Sequence, residues 1–159
     1  MIYRDRFVYV ADPGNLLVRD GRLSLADLAA LPHAVARRLP ADSDSGAGVG
    51  AGTGTNTDAG DVMRTLASHG VRPTVALTTT GWLPLPFAVA GTDMIAAVPE
   101  RLARMVCAAA GVTVVEPPFG TVELTEVGWW HPMHATDPAL TWLRGLLSFS
   151  TAVLDAPAS

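Results

Sequence analysis

The 159-residue sequence contains no lysine; all 11 basic residues are arginine. That absence excludes a P-loop lysine, a Schiff-base lysine and a Ser-x-x-Lys nucleophile. Charged residues make up only 16% and aromatic residues 6% of the chain, and the formal net charge is −4. With a pI near 5.4 and no basic cluster, the chain lacks the electrostatic footprint of a protein that grips nucleic acid. A single cysteine, Cys107, forms neither an internal disulfide nor a structural zinc site, and its apolar helical setting predicts a small buried filler. No hydrophobic run reaches the roughly 18 residues of a membrane span. The start, Met1-Ile2-Tyr3-Arg4-Asp5-Arg6, carries charge where a signal peptide is apolar. The expectation is a soluble cytoplasmic protein with a sizeable core, since 49% of the residues are hydrophobic.

What is present alternates between strand and helix signals. Arg6 to Ala11 is a β-branched and aromatic run ended by Asp12-Pro13-Gly14. Ser24 is an N-cap ahead of a short helix closed by Pro32, and His33 to Ala36 is a further short strand. Asp61 caps a helix reaching His69, with Gly70 as its stop, and Thr74 to Thr78 is a strand. A short helix over residues 84–90 precedes a strand over Met94 to Val98. Glu100 to Ala110 is a helix ended by Gly111, followed by a strand at residues 112–115. Val122 to Trp130 alternates as a strand, and Asp137-Pro138 opens a last helix whose apolar stripe is Leu140, Leu143, Leu146 and Leu147. Strands separated by single helices imply α/β architecture with a mostly parallel sheet.

Residues 41–60 differ in character: Gly46, Gly48, Gly50, Gly52, Gly54 and Gly60 stand among small polar residues without an aromatic. Glycine at every second position fits no Gly-x-Gly-x-x-Gly, and no hydrophobic strand precedes it, so the run predicts a flexible loop and not a phosphate cradle. His131 and His134 are spaced for a metal, but Pro132 bars a regular helix and no third soft ligand is near, so no metal or cofactor is expected. Glu116, Glu123 and Glu126 read as solvated or capping carboxylates at strand ends. Trp129 and Trp130 would face opposite sides of a strand, putting at least one indole in core or cleft. Thr78, Thr79 and Thr80 run into Gly81-Trp82 at the carboxyl end of a parallel strand, where open α/β sheets bind ligands, and Gly91-Thr92-Asp93 is expected to face the same crevice. Hydroxyls beside an indole suit a small organic ligand with one or two polar groups.

The segment Val89-Ala90-Gly91-Thr92-Asp93-Met94-Ile95-Ala96-Ala97-Val98-Pro99, followed by Glu100-Arg101-Leu102-Ala103, resembles the effector-binding domain of LysR-type transcriptional regulators. Trp130-His131-Pro132 with Asp137 to Arg144 resembles the strand end and closing helix of its nodulation-regulator-like branch. Arg4 to Asp12, followed by Leu23 to Pro32, resembles the crossover strand and short helix that enter the second lobe. The three blocks occur in family order and cover nearly the whole chain apart from the loop at 41–60. The resemblance implies a type 2 periplasmic-binding-protein-like fold, with residues 1–159 forming a partial effector-binding domain: the complete second lobe plus the C-terminal strand and helix of the first. The family's winged helix-turn-helix and linker helix have no counterpart in this sequence. By the same resemblance Thr78, Thr79, Thr80, Trp82, Gly91 and Thr92 map to the cleft, and Trp130 and His131 map near the hinge.

The function so implied is conformational and not enzymatic: a small aromatic or acidic effector shifts the lobes and alters an oligomer's presentation of DNA-binding heads. The chain itself makes no nucleic-acid or membrane contact in this reading and is expected to form a homo-oligomer, whether as a natural headless protein or as part of a longer regulator. An alternative is a stand-alone ligand-binding or dimerisation module that acts on full-length regulators. A further alternative is a small enzyme using His131 or His134 with Asp137 as an acid–base pair.

Overall fold

The computed structural model describes residues 3–37, 59–127 and 130–154. The glycine-rich loop lies outside them except for its last two residues, Ala59 and Gly60, which already belong to a helix. In chain order the elements are β1 (Tyr3–Ala11), α1 (Leu25–Ala30), β2 (Pro32–Ala36), α2 (Ala59–Ser68), β3 (Thr74–Thr79) and α3 (Leu85–Val89). They continue as β4 (Ile95–Pro99), α4 (Glu100–Ala110), β5 (Thr113–Val115), β6 (Glu123–Glu126) and α5 (Pro138–Leu154), with a 3-10 turn at Pro132–His134.

Local chemistry sets most boundaries. The Ser24 side chain accepts from the Asp27 backbone N–H while the Asp27 carboxylate accepts from the Ser24 N–H, a reciprocal capping box that starts α1. Gly111 ends α4 in the left-handed conformation at φ 71°, as its position after the apolar helical run predicts. Asp137 caps α5 through Oδ1, which accepts from Ala139 N at 2.8 Å and Leu140 N at 3.3 Å. Asp61 is not a cap: α2 begins two residues earlier and places it in the first turn, paired with Arg64. The last strand stops at Glu126, well before the end of the alternating pattern; Trp129 lies outside the described residues and Trp130 is not in a strand.

Two units divide the chain. The larger comprises residues 5–124 and the smaller residues 1–4 with 125–159. The sheet order is β3-β2-β4-β1-β5, with β6 also pairing β1. β2 runs parallel to both β3 and β4, as the alternating pattern predicts, but β1 is antiparallel to β4 and to β5. The sheet is therefore mixed and not mostly parallel. β2 starts at the end where β1 finished, His33 and Ala11 both standing opposite Ile95.

Alternation along β1 divides the core into two layers. Phe7, Tyr9 and Ala11 face one side with Leu28, Val62, Leu66 and Ile95, under α1 and α2. Val8 and Val10 face the other with Leu85, Val89, Val98 and Ala103, under α3 and α4. Cys107 is buried in the second layer, and burial pushes its thiol further up from its ordinary range, as befits a filler.

Candidate functional site

The parallel strands bring two edges of the larger unit into being, and the expected ligand residues divide between them. At the carboxyl ends of β2 and β3, Ala36 pairs with Thr79 and the Arg37 N–H donates to the Thr79 carbonyl at 2.7 Å. Thr78 and Thr80 are exposed there, as is the Arg37 side chain. The Thr79 hydroxyl is committed locally, donating to the Gly81 carbonyl at 2.7 Å. Trp82 follows, partly buried, its ring edge-on to Phe7 at 5.9 Å. Its indole N–H is buried without a partner among the described residues. This edge therefore combines hydroxyls, a guanidinium and an aromatic wall, a donor-rich set suited to an anionic or polyhydroxylated small molecule.

Gly91 and Thr92 lie at the opposite end, before β4, and do not join Thr78, Thr80 and Trp82. Gly91 turns at φ 69° and donates its N–H to Asp12 Oδ2 at 2.6 Å, while Gly14 donates to Oδ1 at 2.8 Å. These two backbone donors hold the exposed Asp12 carboxyl below its usual range. The Thr92 hydroxyl donates to the Val89 carbonyl at 2.7 Å and accepts from Met94 N at 3.1 Å. Both residues thus build the turn into β4 and border an open depression of about 540 Å³ with Asp12, Asn15 and Pro32. Sequence order placed them near Thr80; the passage of α3 along the sheet carries them to its other end.

Trp130 and His131 belong to the smaller unit. The Arg144 guanidinium lies 4.9 Å from the Trp130 ring centroid and donates to the Ala135 carbonyl and the Thr141 hydroxyl. His131 Nδ1 accepts from Met133 N at 3.2 Å, which leaves Nε2 carrying the proton in the neutral ring. The His131 and His134 ring centroids are 6.3 Å apart, and the Asp137 carboxylate serves the α5 cap. Among the described residues no group of three potential metal ligands occurs.

Sequence reasoning missed Arg37 and the arginine cluster at the start of β1. Arg6 makes paired contacts to both Glu100 (2.7 and 2.8 Å) and Glu116 (2.6 and 2.8 Å), and Asp5 accepts from Arg101 N at 3.2 Å. The guanidinium holds both glutamates below the usual carboxylate range, and they raise its own pKa further. These residues sit on the larger-unit side of the Arg4–Asp5 boundary and anchor β1 there. The signal available for Arg37 was its position one residue past β2; nothing local links Arg6 to residues over ninety positions away.

A mixed sheet with helices on both faces is the fold shared with the regulatory domains of LysR-type transcriptional regulators. It matches the regulatory domain of MexT, a transcriptional activator from Pseudomonas aeruginosa, with a TM-score of 0.63 and 28% identity over 93% of this chain and 64% of that one. It also matches the effector-binding domain of QuiR, solved with shikimate, with a TM-score of 0.60 and 11% identity over 95% of this chain and 63% of that one. Further neighbours of the same fold are LysR family regulators from Neisseria meningitidis and Pseudomonas aeruginosa. In sequence the chain is a homologue of the nodulation D proteins, LysR-type regulators: nodulation protein D 2 of Rhizobium tropici is 29% identical over 92 residues. That alignment takes in 58% of this chain but only 29% of the relative, so the chain spans less than a third of its length. No family model matches the sequence. No helix among the described residues is long and apolar enough to cross a membrane.

Proposed function

We propose that this chain is part of the effector-sensing domain of a LysR-type transcriptional regulator and acts by binding, not by catalysis. The observation that carries this reading is the exposed Thr78 and Thr80 pair beside Arg37 and Trp82, at the carboxyl ends of parallel strands in a sheet of this fold. Two hydroxyls and a guanidinium suit a carboxylate with further oxygens, and the partly exposed Trp82 indole suits a ring. The shikimate held by QuiR, a hydroxylated ring acid, is a ligand of this class. Binding biases one of two conformations of the regulator, and in an oligomer that bias reaches DNA-binding heads carried outside this chain. The setting is cytoplasmic.

Thermal unfolding against shikimate and simple aromatic acids tests the reading. A ligand at a hundred times its dissociation constant adds about 2.7 kcal/mol and raises Tm by several degrees. The double change Thr78→Ala with Thr80→Ala should weaken binding by about tenfold or more while leaving the unliganded Tm within about a degree. A chain that no carboxylic acid stabilises, or a double variant that binds as well as wild type, overturns it. An acid–base enzyme centred on His131 and His134 predicts instead that binding falls when both are changed to alanine.

A further inference from the structure

The chain reverses at Arg19-Asp20-Gly21-Arg22, a segment that the candidate ligand edge does not use. Asp20 and Gly21 take φ values of 52° and 68°, the left-handed pair that a two-residue hairpin turn requires and Asp-Gly favours. The Arg19 N–H donates to the Arg22 carbonyl at 3.1 Å and the Arg22 N–H to the Arg19 carbonyl at 2.9 Å. The two arginines therefore stand directly opposite each other, with both side chains on one face. The Gly21 carbonyl accepts from Glu116 N at 3.0 Å, which fastens the turn at the β5 edge, across the sheet from β3. Both arginines are exposed, and among the described residues neither has an ion-pair partner. Asp27 and Glu116 bear on them electrostatically, but Arg6 already holds Glu116 by paired contacts, and Asp27 Oδ2 accepts from the Ser24 N–H and hydroxyl. Like charges directly opposite on a hairpin cost stability, and the turn itself demands neither arginine.

We propose that this hairpin binds a free α-amino acid with an apolar side chain. Arg19 and Arg22 border an open depression of about 400 Å³ together with Leu17, Leu23, Ser24 and Asp27. Its lining carries three chemistries. The two guanidinium groups take one carboxylate between them, and that anion removes their mutual repulsion. Asp27 Oδ1 has no hydrogen bond among the described residues and supplies the acceptor for an ammonium group. Leu17 is partly exposed and Leu23 is buried beneath it in the core, an apolar patch for an aliphatic side chain. A simple carboxylic acid brings its charge beside Asp27 without compensation, and a simple amine meets two arginines. A ligand with both charges a few bonds apart satisfies all three groups, which selects the zwitterion. The depression belongs to the larger unit and shares no residue with the edge built by Arg37, Thr78, Thr80 and Trp82, so it is a second ligand site on the chain.

Amide NMR titrations of the full chain with L-leucine, 4-methylpentanoate and 3-methylbutylamine test the proposal. The second compound is leucine without its ammonium group, and the third is leucine without its carboxylate. Leucine should shift the amides of the Arg19–Ser24 segment with a Kd of about 1 mM or below, and each analogue should bind at least about tenfold more weakly. Arg19→Gln and Arg22→Gln should each weaken leucine about tenfold and leave Tm unchanged or slightly raised, because either change relieves the repulsion. Asp27→Asn, which keeps an oxygen for the Ser24 N–H, should remove the preference for leucine over 4-methylpentanoate. Thr78→Ala with Thr80→Ala should bind leucine like wild type. The idea is overturned by an absence of shifts in this segment up to about 10 mM leucine, or by equal binding of leucine and 4-methylpentanoate. Undiminished binding in both arginine variants, or loss of leucine binding in the threonine double variant, also overturns it. Carboxylic-acid binding at Thr78 and Thr80 is read from that double variant, so either site can fail alone.

Discussion

At the scale of single residues, His33 shows how the core tolerates a polar ring. It is 2% exposed, its Nε2 lies 2.8 Å from the Leu28 carbonyl near the end of α1, and Tyr9 stands edge-on at 6.0 Å. Burial depresses its pKa, more than the Leu28 contact offsets. The neutral ring donates to that carbonyl, so protonation gains no hydrogen bond and costs desolvation. Between the depressed folded value and the ordinary value near 6.5, the unfolded chain binds the proton and the folded chain does not, so stability falls as pH drops through that window. Urea titrations at pH 7.5 and 5.5 should show the fall, and His33→Gln, which keeps a donor for Leu28, should flatten the pH dependence while lowering stability at both pH values. An unchanged slope in the variant would place the titrating group elsewhere. His33 is legible in the sequence as part of a strand, but its burial is not, because that follows from β2 lying between β3 and β4 with both of its faces covered.

At the scale of elements, the boundaries were the most legible feature because short-range chemistry sets them: the Ser24–Asp27 box, Gly111 and Asp137 all act within four residues of their targets. The α4 limits agree with the sequence reading residue for residue for that reason. The direction of β1 was not legible, since it is set by pairing with a strand some ninety residues away, Phe7 to Ala11 against Pro99 to Ile95, and not by a local pattern. β1 is held at its start by Arg6 on Glu100 and Glu116, whose side chains are 18% and 48% exposed. Both carboxylates are held below their usual range, so their contribution is present near neutrality and is lost as pH falls below the ordinary glutamate value near 4.3. Glu100→Gln, at the more buried partner, should cost about 1–2 kcal/mol at pH 7 and less at pH 3, read from denaturation midpoints. A cost that persists undiminished in acid would mean that packing, not charge, holds this end of the strand. The glutamate loss sets in below about 4.3 and the His33 loss below about 6.5, so the His33 effect appears first as a pH series descends.

At the scale of the whole molecule, the larger unit carries helices on both faces of its sheet, whereas the smaller consists largely of β6's last residues, the 3-10 turn and α5 with an open apolar face. Amide exchange should follow that inequality. Protection should be greatest in β1 and β4, whose buried residues are covered from both sides, and several orders of magnitude lower in α5. Uniform protection across the chain would show that the two units open together. By itself the sequence determined the helix and strand order, the Ser24, Gly111 and Asp137 caps, the α/β class and the hydroxyl cluster at the end of β3, because each rests on periodicity or on contacts a few residues apart. Only the tertiary structure decided that Gly91 and Thr92 stand at the far end of the sheet from Thr78 and Thr80, that Arg6 meets Glu100 and Glu116, and that Trp142 and Phe149 face outward. Those outcomes depend on strand direction and on which surfaces find partners, quantities set by packing between residues distant along the chain.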